Sequence, residues 1–147
     1  MGCIFCDILN GKRDGHLLYE DDSHIAFLDK YPIDIGHSLI IPRTHHERIT
    51  DMDSEDVGKI FSLVPKIANA ILKATGADAF SLGQNNGRAA KQIIPHVHIH
   101  IIPRYNNKGT VWTKRQISSE SELVELSKNI RSFMECGREN PNPSGLE

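Results

Sequence analysis

The sequence predicts an α+β fold: an antiparallel five-stranded sheet packed on one long and one shorter helix. Three observations predict it. Five short runs rich in apolar and β-branched residues are bounded by turn residues, as strands are. A long stretch between the third and fourth runs repeats its apolar residues at three and four, the period of an amphipathic helix. The runs follow one another in meander order around that helix, which favours antiparallel pairing over a parallel sheet.

Each element has a local reason. Phe5 to Asn10 reads as a short helical turn closed by Gly11, a residue that tolerates the left-handed cap. Leu17 to Glu20 and His24 to Leu28 read as two strands, with Asp21 and Asp22 supplying the hairpin turn. His37 to Pro42 is the third strand, ended by its proline. Val57, Ile60, Phe61, Val64, Ile67, Ala68, Ile71 and Leu72 form one face of the long helix. Asp53 or Ser54 caps its start, Gly76 lies just past its end, and Pro65 should bend it. Ala79 to Gly83 is the fourth strand and Pro95 to Pro103 the fifth, joined by a loop rich in Asn and Gly from Gln84 to Gln92. Ser119-Glu120-Ser121-Glu122 is a capping box ahead of Leu123, Leu126, Ile130 and Phe133, the shorter helix. The domain is expected to span 1–138, and the Asn- and Pro-rich segment 139–147 to be a disordered tail.

Composition narrows the function classes. The 147 residues are 39% hydrophobic and 24% charged, which excludes a disordered or fibrous chain. Seventeen Lys and Arg against nineteen Asp and Glu leave a net charge of −2, so no general affinity for nucleic acid is expected. No apolar run reaches the roughly 20 residues of a membrane span, and no signal peptide is present. Three cysteines cannot form a full disulfide framework, and a reducing cytoplasm is the expected compartment.

His96-Val97-His98-Ile99-His100-Ile101-Ile102 is the most informative stretch. In a strand the three histidines share one face and the apolar residues the other. The apolar face packs; three adjacent imidazoles have no packing use, because they repel when protonated and bury poorly when neutral. A lone histidine such as His16 or His24 is most simply structural. Two chemistries use a ladder of three: zinc hydrolysis with two strand ligands and an open water position, or a nucleophilic or acid/base histidine whose neighbours hold an anion. Cys3 and Cys6 have ligand spacing, and two of His45, His46 and His96 would complete a closed tetrahedral site. That would leave His98 and His100 for metal-free chemistry. The loop Gln84 to Gln92 offers amides, backbone N–H groups and two cations suited to a phosphate.

These residues together resemble the histidine-triad (HIT) family, whose motif is His-φ-His-φ-His-φ-φ with φ apolar. The resemblance runs from about Cys3 to Tyr105 and includes Cys3-Ile4-Phe5-Cys6-Asp7-Ile8, Ala26-Phe27-Leu28-Asp29, Gly36 to Pro42 and Asn85 to Gln92. It implies hydrolysis of purine nucleotide conjugates at the α-phosphorus through a nucleotidyl-histidine intermediate, closest to the small nucleoside phosphoramidase branch. Dinucleoside polyphosphate hydrolysis on the same site, or nucleotide binding with little turnover, are the alternatives. By the same resemblance His98 is the nucleophile, His100 contacts phosphate and His37 completes the proton network. Asn85 and Gln92 fall on phosphate-side amides, Asp29 on the ribose carboxylate, and Phe5, Ile8 and Phe27 on the base pocket. One structural zinc is implied on Cys3, Cys6, His45 and His96, as is a homodimer sharing a ten-stranded sheet. Lys91-Gln92-Ile93 departs from the family's Gly-Gln-Ser or Gly-Gln-Thr and lacks the hydroxyl that would serve an amine leaving group.

Overall fold

The computed structural model describes residues 2–106, 108–110, 112 and 118–139. Of the segment 139–147 expected as a tail, Glu139 is helical and the rest lies outside them. Five strands form one antiparallel sheet: β1 (Leu17–Glu20), β2 (His24–Leu28), β3 (Ser38–Pro42), β4 (Ala79–Gly83) and β5 (Ile99–Arg104). Their order is β1-β2-β3-β5-β4, so the last strand enters between β3 and β4. A pure meander is therefore wrong for the second half, where β4 is left on the edge. The fifth strand also starts later than expected, at Ile99 and not at Pro95.

Register explains why two strands have no exposed face. Ala26 and Leu28 of β2, Ile40 of β3 and Ile99 and Ile101 of β5 point to one side, into a core shared with the helices. Ile25, Phe27, Leu39 and Ile41 point to the other, where α1 (Ile4–Leu9) covers them with Phe5. Every residue of β2 and β3 is buried. The β1–β2 turn is held by Asp21, whose carboxylate accepts the amides of Ser23 and His24 at 2.8 and 2.7 Å.

The long helix expected after Asp53 is two helices, α2 (Ser54–Phe61) and α3 (Val64–Thr75). Pro65 does more than bend the chain. It sits in the first turn of α3, where its missing N–H costs nothing, so a fresh start is easier than a continuous helix. Asp53 stands at the N-cap of α2 but makes no side-chain capping bond. Gly76 ends α3 in the left-handed conformation, as expected. The longest helix is instead α4 (Glu120–Glu139), 20 residues. Its capping box forms: Ser119 Oγ accepts from Glu122 N, and Ser119 N donates to Glu122 Oε1, both at 3.1 Å. α3 and α4 pack on each other and on the sheet, burying Ile67, Ile71, Leu123 and Ile130. No described helix is long and apolar enough to cross a membrane.

Gly36 fixes where the site begins. Its φ is +95°, and a Cβ there would lie 2.9 Å from Thr75 and 3.0 Å from Pro103. Only glycine lets the β2–β3 connection press onto α3 and β5. The next residue, His37, is thereby delivered fully buried beside β5.

Candidate active site and metal-holding cluster

The three triad histidines reach their places by two routes. His100 lies in β5, paired with Leu39. His96 and His98 precede the strand, so the expected strand alternation carries only the third. A turn holds the first two instead: His96 N donates to Ile94 O at 2.8 Å and Val97 N to His46 O at 2.7 Å. The rings still form a row. His45 and His96 centroids are 4.8 Å apart, His98 and His100 also 4.8 Å, and His100 and His37 5.1 Å. Phe5 stands behind the row, edge-to-face with His96 at 5.8 Å and with His98 at 5.0 Å.

Hydrogen-bond partners fix the protons. His98 Nδ1 donates to the His96 carbonyl at 2.7 Å, because a carbonyl can only accept. In the neutral ring that places the lone pair on Nε2. His37 Nδ1 accepts the Ile33 amide at 2.9 Å, so its proton is on Nε2, which faces His100 Nδ1 at 2.9 Å. His100 in turn carries its proton on Nε2. Asp29 Oδ2 lies 3.6 Å from His37 Nε2. Backbone to His37 to His100 is thus one directed chain, ending beside His98.

At the other end the polarity reverses. His96 Nε2 donates to the Pro42 carbonyl at 2.9 Å, which turns an unprotonated Nδ1 toward Cys3 Sγ (3.5 Å), Cys6 Sγ (3.6 Å) and His45 Nδ1 (3.1 Å). Cys6 Sγ and His45 Nδ1 are 3.4 Å apart, and all four atoms lie within 4.8 Å of one another. Metal–sulfur bonds of ~2.3 Å and metal–nitrogen bonds of ~2.0 Å in a tetrahedron put nitrogens ~3.3 Å apart and nitrogen and sulfur ~3.5 Å apart. The four donors fit such a metal. Burial above all pushes His96 down to about 4, keeping it neutral as a ligand must be. Burial and the adjacent Cys3 raise the Cys6 thiol, so two thiolates here need a cation between them. Of the three histidines the spacing left open, His46 is not in the cluster and gives its carbonyl to Val97.

Gln92 ties the loop down through three hydrogen bonds. Its Oε1 accepts Gly87 N at 2.6 Å, and its Nε2 donates to Glu47 O at 2.7 Å and Ile94 O at 3.1 Å. Both amide hydrogens are used, and Gln92 clamps the loop to the 47–49 segment. Asn86 adds to the clamp, accepting Ile49 N at 2.7 Å. Asn85 is half-buried in the same loop. Lys91 holds φ +68°, the one positive-φ non-glycine among the described residues, and Ile93 is 82% exposed. Phe27 and Ile8 share one apolar cluster with Phe5, and Phe5 is only 3% exposed, so it backs His98 more than it lines an open pocket. His24 and His16 pair with Asp21 and Glu120, away from the row. Sequence reasoning missed Ile33, Pro42 and Glu47. All three act through the backbone, which carries no side-chain signal.

Residues 10–107 match the HIT domain. An adenylylsulfatase of Arabidopsis thaliana is 42% identical over 136 residues, covering 92% of this chain and 68% of that protein. An adenosine 5'-monophosphoramidase of Schizosaccharomyces pombe is 38% identical over 135 residues, 90% of this chain and 98% of that one. The crystal structure of a zinc-bound histidine triad family protein from Mycobacterium smegmatis is similar with a TM-score of 0.86 at 30% identity, covering 96% of this chain and 99% of the other.

Proposed function

The chain belongs to the HIT family, a nucleotide hydrolase, and from that premise we propose that it cleaves nucleotide conjugates at the α-phosphorus through a covalent adduct on His98. The observation that carries this is the His98 tautomer: a buried 2.7 Å bond from Nδ1 to the His96 carbonyl aims the basic nitrogen, Nε2, into the site. Nε2 attacks the α-phosphorus and the bond to the leaving group breaks, giving a nucleotidyl-imidazole. Water then displaces the imidazole and releases the nucleoside monophosphate, with Nδ1 protonated throughout. Oriented by His37, His100 presents its Nε2–H to the phosphoryl oxygens, where negative charge builds in each step. Asp29 serves the ribose hydroxyls as well as His37, Asn85 the phosphate side, and Ile8 and Phe27 the purine; Gln92 shapes the loop.

Leaving-group chemistry separates the substrate readings. Ile93 offers no hydroxyl to protonate an amine, while Arg88 and Lys91 on the same loop suit an anionic leaving group. This supports a mixed anhydride or a dinucleoside polyphosphate beside the phosphoramidate. Purified protein assayed against adenosine phosphoramidate, adenylylsulfate and diadenosine polyphosphates tests the proposal; saturable binding without product from any of them would make it a nucleotide-binding module instead.

We also assign zinc to the four-donor cluster, since two sulfurs and two imidazoles in a closed tetrahedron favour it. Reduced thiols suit a reducing compartment, the cytoplasm. The β4 edge, with Phe80 and Leu82 exposed, supports antiparallel pairing with a second copy into a ten-stranded sheet. Light scattering at micromolar concentration should report twice the 16.5 kDa chain mass.

A further inference from the structure

The cluster of Cys3, Cys6, His45 and His96 lies directly against the nucleophile, and its two contacts with it are of different kinds. His96 is held at both nitrogens, one on the Pro42 carbonyl and one turned to the ligand cluster, so its own main chain has little freedom. That main chain supplies the carbonyl which takes the His98 Nδ1 proton. Cys3 and Cys6 bracket Phe5 in α1, with Cys3 at the N-cap and Cys6 within the first turn. Fixing both sulfurs fixes that turn, and with it the ring that meets His98 edge-to-face at 5.0 Å. α1 has only six residues and its N-cap makes no side-chain capping bond, so it has little means of its own to stay in place.

We infer that the metal-holding cluster is a positioning device for His98, acting through the His96 carbonyl and the Phe5 ring, so that emptying the cluster lowers turnover and leaves nucleotide affinity unchanged. This goes beyond a cluster that only ties the N-terminus to the sheet, which would move stability alone. His96 and Phe5 are positioning residues here; neither touches the reacting phosphorus. The inference rests on the proposed role of His98, but the orientation of its ring is measurable without any turnover.

The test uses the zinc-loaded protein labelled with 15N, in which the His98 Nδ1–H should give a slowly exchanging, downfield imidazole resonance. Removing zinc with chelator should broaden or shift that resonance and lower kcat by at least about tenfold, in the range seen when groups that orient a site are removed. The dissociation constant for AMP should move less than about threefold, and adding zinc back should restore all three. Because the stripped chain could unfold, Phe5→Leu is the second arm: it keeps the zinc ligands and most of the apolar volume. Phe5→Leu should retain a full equivalent of zinc, lower kcat about tenfold and hold KM nearly constant. A raised KM at unchanged kcat would place Phe5 in the base pocket and overturn the inference. So would a stripped, folded protein with an unaltered His98 resonance. A protein that turns over no nucleotide yet shows the zinc-dependent resonance would remove the proposed function and leave the positioning intact.

Discussion

At one end of the histidine row, His96 turns an unprotonated Nδ1, beside His45 Nδ1, toward two sulfurs; at the other, His37 gives its Nε2–H to His100 Nδ1 and so leaves the His100 proton on Nε2. The side chain is the same and the distance between the two ends is only a few residues of one turn and one strand. What differs is the partner on the second nitrogen. A carbonyl, Pro42 O, forces a proton onto His96 Nε2 and makes Nδ1 a ligand. An amide, Ile33 N, forces the proton of His37 to the opposite nitrogen and makes that one a donor. The main chain thus leaves an acceptor nitrogen facing the sulfurs at one end and a donor nitrogen facing a second imidazole at the other.

The largest expected effect removes the residue on which both ends converge. His98→Ala should lose at least ~100-fold in turnover and keep its AMP affinity, measured by steady-state kinetics and calorimetry. Turnover surviving that change would dissolve the comparison, since neither end would then have anything to serve. A smaller, paired effect sharpens it. His45→Ala should lower zinc content and melting temperature together, because three donors hold the metal far more weakly than four. His37→Ala should leave zinc content untouched and lower kcat about tenfold, through loss of an oriented donor. If His37→Ala also released zinc, the two ends would be one unit and the division false.

The smallest effect concerns the loop. Lys91→Gly should relieve the left-handed backbone, a saving of roughly 1 kcal/mol partly offset by the greater entropy of glycine in the unfolded chain. Thermal unfolding should therefore show a small rise in stability. Its selectivity readout is separate: activity toward a sulfate or polyphosphate leaving group should fall relative to a phosphoramidate.

Most of the sheet could be read from the chain, because β2, β3 and β4 announce themselves as short apolar runs between turn residues. The break at Pro65 could not be told from a bend, since both remove the same hydrogen bond and the apolar face of α2 continues into α3. The strand order was hidden for a different reason: whether β5 sits beside β3 or beyond β4 is a matter of long-range pairing, to which local pattern is blind. In the site, the spacing of Cys3 and Cys6 and the three alternating histidines marked the residues that the fold brings together in one row and one four-donor cluster. The clamp that Gln92 forms was not legible, because its partners are backbone atoms of Glu47, Gly87 and Ile94. The tautomers were beyond reach altogether, being set by backbone atoms of Ile33, Pro42 and His96 that every residue type carries alike.

The exposed β4 edge has a practical consequence. Its neighbour on one side is β5 and on the other nothing among the described residues, while Phe80 and Leu82 stand 38% and 43% open to water. Such an edge is a ready template for any other extended chain. A chain whose β4 edge is left open keeps its histidine row intact yet presents a sticky border. Damage at β4 should therefore show first as poor solubility and low recovery, with catalytic constants of the surviving soluble fraction little altered. In this molecule, colloidal failure begins on the edge strand and chemical failure on the strand beside it.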